Sequence, residues 1–256
     1  MGFAVLDRLG LRFAVLDCLG LRFDLADAWH DLVVGGRCVG CRRPGRLLCH
    51  DCRADLPDTA RPSPPTPAPP GIAPVFAAGP YDGTLKQLVI GLKENQLLGL
   101  RRPLAGLLAL SVLEAMATTG AGPTILVPVP SRTASVRERG LDSTAAITRR
   151  AAAMLRQHGL GVRHHQLLRT RPGVADQAGL DSRQRQANLD GSITCPASGI
   201  RTLARKIPRA TLIVCDDVIT TGATAREAQR ALESVGLEVR AVATVAATQR
   251  RSRVQM

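Results

Sequence analysis

Residues 212–224 read Leu-Ile-Val-Cys-Asp-Asp-Val-Ile-Thr-Thr-Gly-Ala-Thr, and no other segment restricts the fold as tightly. Four apolar residues, Leu212–Cys215, predict a short buried strand, with two carboxylates, Asp216 and Asp217, emerging at its C-terminal end. Thr220, Thr221, Gly222, Ala223 and Thr224 then open a helix on which Ala225, Ala228, Leu232 and Val235 share one face, stopped by Gly236. The same alternation runs back along the chain. Val75–Ala78 and Ile125–Val129 predict strands, as does Val239–Val245 beyond the last helix. Helical spacing covers Leu85–Leu98, residues 104–117 suit a buried helix, and Ser143–His158 puts Ile147, Ala151, Met154 and Leu155 on one face. Strands alternating with helices imply an α/β fold, a parallel sheet with helices on both faces.

Ligands of open parallel sheets bind at the carboxyl ends of strands, which is where the Asp-Asp and Thr/Gly residues fall. Backbone N–H groups at a helix N-terminus favour anions, threonine hydroxyls add donors, and Gly222 lets the backbone approach a phosphate closely. Two adjacent carboxylates repel phosphate, so Asp216 and Asp217 should face sugar hydroxyls or a divalent cation. A DD pair that merely caps a helix is the plainer alternative, but a cap needs one carboxylate and no Thr-Thr-Gly-Ala-Thr run behind it.

Charge supports an anionic partner. The chain carries a net charge of +13, and 31 of its 34 basic residues are arginine. Between Arg132 and Arg185, eleven arginines face four acids, a local +7, whereas residues 212–249 sum to −2. Such a clustered field suits phosphate groups on a small substrate or a nucleic-acid backbone. Aromatic residues make up only 2% of the chain, too few for a dedicated single-strand binder that stacks bases. The longest apolar candidate, Leu104–Ala117, has 14 residues and contains Ser111 and Glu114, so no membrane span is expected. Asp7, Arg8 and Arg12 interrupt any signal-peptide pattern, and a soluble cytoplasmic protein is the expectation.

Cys38-x2-Cys41 and Cys49-x2-Cys52 are two CxxC pairs separated by seven residues. Each pair can turn two thiolates toward one ion, and together they complete a tetrahedral site for structural Zn²⁺. Disulfides are disfavoured in a cytosolic protein. His50 could replace a ligand, but four cysteines suffice. Gly40 is expected to supply the freedom that such a turn needs. Cys18, Cys195 and Cys215 lack partners at ligand spacing.

Eight prolines fall within residues 57–74, which predicts a semi-extended linker. The expected organisation is an extension over 1–34, a four-cysteine module over 35–56, the linker over 57–74, an α/β domain over 75–249 and a basic tail over 250–256. The extension holds a ten-residue tandem repeat, Phe3–Arg12 and Phe13–Arg22, differing only at Arg8 and Cys18. Two copies of ten residues cannot stack into a solenoid, and a short gene duplication accounts for them.

Residues 212–224 resemble the 13-residue signature of type I phosphoribosyltransferases. From about Asp31 to Ala247 the chain resembles the ComF family of competence-related, phosphoribosyltransferase-like proteins. The likeness includes the cysteine pairs with LCHDCRADLP, then YDGTLKQLVIGLK, ILVPVPSR, RERG and QAGLDSRQRQAN. It implies a type I phosphoribosyltransferase-like sheet preceded by a small zinc-knuckle module. In that reading Asp216 and Asp217 hold the ribose hydroxyls of phosphoribosyl pyrophosphate, and Thr220, Thr221, Gly222, Ala223 and Thr224 wrap its 5′-phosphate. Ser131 and Arg132 are available for the diphosphate, with Arg183 and Arg185 in the basic segment matching the family's. Mg²⁺ is expected to accompany the ligand. Lys93 stands at the family's helical LK position, though an exposed helical lysine reads equally well.

There are departures. Where the family commonly has RGFNQ, this chain has Arg139-Gly140-Leu141-Asp142-Ser143, so Asp142 and Ser143 either forgo a substrate contact or cap the next helix. Ala223 replaces a second glycine. Thr220 stands where the purine-salvage branch has an acid and cannot act as a general base near neutral pH, so no catalytic base is evident. The resemblance implies binding of phosphoribosyl pyrophosphate with Mg²⁺-dependent transfer to an acceptor not marked in the sequence. The alternative is a DNA-uptake accessory that binds nucleic acid weakly or docks on a helicase without turnover.

Overall fold

The computed structural model describes residues 36–120, 122–131, 142–171, 191–196 and 210–248. The expected extension, the basic tail, Arg132, Arg183 and Arg185 lie outside the described residues.

A six-stranded sheet organises the fold, in the order β1-β2-β8-β7-β3-β4. Its strands are β1 (Arg61–Pro62), β2 (Val75–Pro80), β3 (Thr124–Pro128), β4 (Val162–His164), β7 (Thr211–Ile219) and β8 (Val239–Ala247). Only the β1–β2 pair is antiparallel; β2, β8, β7, β3 and β4 run parallel. A two-residue pair, β5 (Arg169–Thr170) with β6 (Ile193–Thr194), forms a separate antiparallel ribbon. The α/β class and the parallel sheet expected from the alternation are therefore present.

Helices cover both faces, because strands buried on both sides must find apolar partners on each. Ile213, Cys215, Leu126, Ala241 and Ala243 face one apolar cluster. That cluster is covered by α2 (Gly83–Lys93), α3 (Arg101–Thr119) and α4 (Ser143–Gln157). Leu212, Val214, Ile125, Val127 and Val242 face the opposite cluster, covered by α5 (Ala223–Glu233). Helix α3 is buried almost all round, from Pro103 to Met116, as a helix between a sheet and further helices must be. Its Pro103 falls in the first turn, where a missing N–H costs no helical hydrogen bond. Ser111 Oγ donates to the Thr244 carbonyl at 2.7 Å, pinning α3 to β8.

The strands and helices arise where periodicity places them, with one informative shift. Strand β7 continues to Ile219, so Asp216 and Asp217 lie within the strand rather than beyond its end. Pairing with β8 explains the extension, since Asp216, Val218 and Ile219 all find partners there.

The proline-rich segment runs along the molecule as part of its surface. Arg61 and Pro62 form the antiparallel edge strand, where a missing donor is tolerated. Pro65 and Pro69 are buried against α5. A short helix, α1 (His50–Ala54), follows the second cysteine pair. Leu48, Cys38 and Cys52 belong to the same buried cluster as Leu85, Leu88 and Leu100. The four-cysteine turn thus shares the core of the sheet, although the composition suggested a spacer between them.

His164 ends β4 with its Nε2 buried and without a hydrogen-bond partner among the described residues. Burial, then the nearby His165 and Arg149, lower its pKa to about 4. An unfolded chain, with an ordinary value near 6.5, binds that proton more readily. The stability this neutral ring confers is complete above about pH 6.5 and is lost as pH falls toward about 4. Thermal melts between pH 7 and 5 should show Tm falling more steeply for the wild type than for His164→Gln. Equal slopes would show that His164 does not contribute.

Candidate functional site

Among the described residues, the carboxyl edge of the sheet carries Asp216, Asp217, the residues 220–224 and Ser131. Strand β7 carries Asp216 and Asp217, turns through Thr220 and Thr221, and enters α5 from Gly222. Thr220, Thr221 and Thr224 are exposed, and Thr221 Oγ1 accepts from the Ala223 N–H at 3.4 Å. First-turn N–H groups of a helix have no intrahelical partner, so this turn offers donors to an anion. Gly222 is the N-cap, with φ +75°.

The structure supplies a second reason for glycine there. A Cβ at 222 would meet Pro65 Cγ at 2.9 Å, Ile72 Cδ1 at 3.1 Å and Pro69 Cδ at 3.2 Å. The proline segment therefore closes over the outer side of the turn. Helix α5 holds it by backbone contacts: Arg226 Nε donates to the Pro70 carbonyl and Gln229 Nε2 to the Gly71 carbonyl, both at 3.0 Å. Gln229 Oε1 accepts from the Ala73 N–H at 2.9 Å. On its other flank α5 grips β6, where buried Glu227 accepts from the Ile193 N–H and from Arg230.

The two aspartates differ in surroundings. Asp217 Oδ1 accepts from the Val218 N–H at 2.7 Å, and its carboxylate is 6% exposed. Lys93 Nζ lies 2.5 Å from Asp217 Oδ2, as an ion pair outside hydrogen-bond alignment; Oδ2 has no other partner among the described residues. Burial opposes the charge on Lys93, but Asp217 and then Asp216 outweigh it and raise the lysine's pKa. Asp216 keeps part of its surface to solvent yet sits deep among protein atoms. That burial, then the charge of Asp217, push its carboxyl well above the usual range. Tyr81 borders the group, and burial raises its phenol. Lys93, equally readable from sequence as an exposed helical lysine, is the main addition to the site. Its signal in the sequence was its place at the end of the segment YDGTLKQLVIGLK, which left its role open.

Ser131 follows β3, the neighbour of β7, and its Oγ donates to Asp142 Oδ1 at 2.8 Å. The same oxygen accepts from the Ala145 N–H at 3.0 Å, so Asp142 caps α4. Capping, one of two readings left open for this residue, is what the structure contains.

Cys38, Cys41, Cys49 and Cys52 bring their sulfurs within 4.8 Å of one another. Sulfurs around one tetrahedral zinc stand about 3.8 Å apart, given Zn–S bonds of about 2.3 Å. Cys41 Sγ and Cys49 Sγ are 3.5 Å apart, far from disulfide length. Burial favours the neutral Cys38 thiol, but the N–H groups of Cys49, Cys41 and Gly40 outweigh it and bring its pKa to about 6. Burial and the other three sulfurs push Cys52 up. Cys38 gives up its proton readily while Cys49 and Cys52 hold theirs, a conflict that a dication resolves. The cluster can hold a structural metal such as zinc. Gly40 is required for space rather than for turn freedom: a Cβ there would meet Cys52 Sγ at 2.7 Å. The left-handed residue of the first knuckle is Arg42, with φ +66°.

No family model matches the chain, and no curated protein matches it.

Two expectations follow. Purified protein should carry about one equivalent of a metal such as zinc, measured by elemental analysis. Cys38→Ser and Cys52→Ser, at buried ligands, should lower Tm more than Cys41→Ser at the exposed one. Metal-free protein with four reactive thiols and an unchanged Tm would contradict this. Separately, Gly222→Val should destabilise the protein by at least ~2 kcal/mol without any ligand, from left-handed strain and collision with Pro65. Denaturant unfolding measures it, and Gly222→Ala should cost less.

Proposed function

We propose that this chain is a phosphoribosyltransferase-like protein that binds phosphoribosyl pyrophosphate at the carboxyl end of β7. One observation carries the reading: two aspartates, a turn with exposed Thr220 and Thr221, and a helix N-terminus form one continuous unit at the carboxyl edge of a parallel sheet. Sugar hydroxyls donate hydrogen bonds, which carboxylates accept. Phosphate oxygens accept them, which the first turn of α5 and the hydroxyls of Thr220, Thr221 and Thr224 donate. The chemistry of the two halves therefore matches a ribose 5-phosphate and sets its direction. Ser131, one strand away, and Arg132, Arg183 and Arg185 are assigned to the diphosphate.

Lys93 bears on Mg²⁺. An ammonium already paired with Asp217 repels a divalent cation, so the aspartates do not fit a metal cage. Mg²⁺ belongs with the ligand's diphosphate, whose developing negative charge it would stabilise during transfer. In a transfer step, the C1–O bond to diphosphate breaks with its electron pair leaving on oxygen, and an acceptor atom bonds to C1. No described residue is placed as a general base for the acceptor. The four-thiolate cluster is read as structural zinc, which suits a reducing, cytoplasmic setting.

A nucleic-acid reading is favoured by a different observation. Arg149, Arg150, Arg156, Arg163, Arg169 and Arg171 are all exposed, on α4, β4, β5 and the residue after it. Such a surface would bind a phosphate backbone weakly and without sequence preference, with affinity falling steeply as salt rises. It is compatible with a DNA-handling role beside a helicase.

Ligand-dependent melting separates the readings. Phosphoribosyl pyrophosphate with Mg²⁺ at a hundred times its Kd should stabilise the wild type by about 2.7 kcal/mol, several degrees in Tm. An unshifted Tm at millimolar ligand, with salt-sensitive retention of DNA, would move the assignment to the nucleic-acid reading.

A further inference from the structure

One face of α5 is given over to the proline-rich segment. Gly222, Arg226, Gln229 and Glu233 recur at i, i+4, i+7 and i+11, the spacing of a single helical stripe. Gly222 is buried, and a Cβ on it would meet Pro65, Ile72 and Pro69. Gln229 is buried too and uses both ends of its amide. Its Oε1 accepts from the Ala73 N–H, while Nε2 donates to the Gly71 carbonyl at 3.0 Å and to Glu233 Oε1 at 2.7 Å. Arg226 Nε reaches the Pro70 carbonyl, and its Nη1 pairs with Glu233 Oε2 at 3.1 Å. Glu233 therefore braces both side chains that hold the segment. The turn beneath has few ties of its own. Outside α5 itself, no hydrogen bond among the described residues reaches Thr220, Thr221 or Gly222. The last tie to the sheet is the Ile219 carbonyl, which accepts from the Thr248 N–H at 2.9 Å. Between that tie and α5, the packing of Pro65, Pro69 and Ile72 on Gly222 backs the turn.

We propose that residues 64–73 form a strap that holds the Thr/Gly turn in its anion-binding shape, with Gln229 as the positioning residue that latches it. The inference rests on the phosphoribosyl reading above and adds a control on affinity that lies outside the ligand contacts. Proline suits the task. Its locked φ leaves a released strap fewer conformations, so relatching costs less entropy, and its carbonyls remain free to accept. Two states follow. In the latched state the turn is backed at Gly222; in the released state it loses that backing and samples other shapes. A ligand that binds the latched state better must also favour latching, because the coupling is reciprocal.

The test pairs calorimetric titration with hydrogen exchange on the intact chain, with phosphoribosyl pyrophosphate and Mg²⁺ as the probe, well below every variant's Tm. Gln229→Leu keeps the side chain's bulk but removes three hydrogen bonds of the latch. It should weaken binding about tenfold, although residue 229 lies about two helical turns from the Thr/Gly turn. Glu233→Ala, at the exposed far end of the stripe, removes only the brace and should weaken binding about threefold. In the wild type, saturating ligand should slow exchange of the Ala73 amide, the one held by Gln229, by about the factor lost in Gln229→Leu. A lowered Tm in Gln229→Leu with Kd within about twofold of wild type would make the strap a purely structural element and overturn the proposal. Ligand binding that leaves Ala73 exchange unchanged would overturn it as well. If Gln229→Leu does not fold, Glu233→Ala and the wild-type exchange decide: unchanged affinity in the one or an unprotected Ala73 in the other overturns the strap. Failure of the wild type to bind would remove the phosphoribosyl reading and this proposal with it. Wild-type binding with both variants unaffected would remove the strap alone.

Discussion

Burying β7 on both faces is the constraint to which the other elements answer. A parallel strand between β8 and β3 leaves neither face to water, so Leu212, Ile213, Val214 and Cys215 alternate between two apolar clusters. Each cluster needs a helical cover, which α3 and α4 supply on one side and α5 on the other. The charged residues of the strand, Asp216 and Asp217, are confined to its carboxyl half. There Asp217 points toward α2, and its burial is tolerable because Lys93 arrives at the end of that helix.

The proline-rich segment connects this strand to the rest of the chain in a way that its composition conceals. Proline offers no backbone donor, but its carbonyls and ring surface remain available. Helix α5 uses both: Arg226 and Gln229 take carbonyls of Pro70 and Gly71, and Pro65 and Pro69 fill the space beside Gly222. The segment then continues into β2, next to β8 in the sheet. The turn that presents Thr220 and Thr221 is thus supported from outside as well as from its own strand.

Elements with a strong apolar period were legible from sequence: β3, α4, β7 and β8 begin within a residue of their expected starts. The periods work because each reports a face that the sheet or its helices must bury. Less legible were features that depend on two distant segments meeting. Asp216 and Asp217 read as residues beyond a strand, since no local signal says that β8 continues to pair with them. The partnership of Lys93 with Asp217 spans 124 residues and has no local trace. Gly40 read as a turn residue because glycine usually marks one, whereas the Cys52 sulfur is what excludes a side chain there. The cysteine spacing was readable for the opposite reason, as two CxxC pairs carry their geometry within four residues each.

The opposing charges at the carboxyl edge explain how acids and a turn proposed to hold an anion can share one short segment. Asp216 and Thr221 are only five residues apart, and unscreened carboxylates there would oppose phosphate binding at the neighbouring turn. Lys93 offsets Asp217, and burial raises the pKa of Asp216, so that its carboxyl is less readily charged in the empty site. The N-terminus of α5 contributes its partial positive charge beside the turn, and Gly222 gives it a left-handed entry that leaves the first-turn N–H groups open. Each device acts on one side of the conflict. On the phosphoribosyl reading proposed above, they would let a ligand with hydroxyls at one end and a phosphate at the other find both complements on a single strand–turn–helix unit.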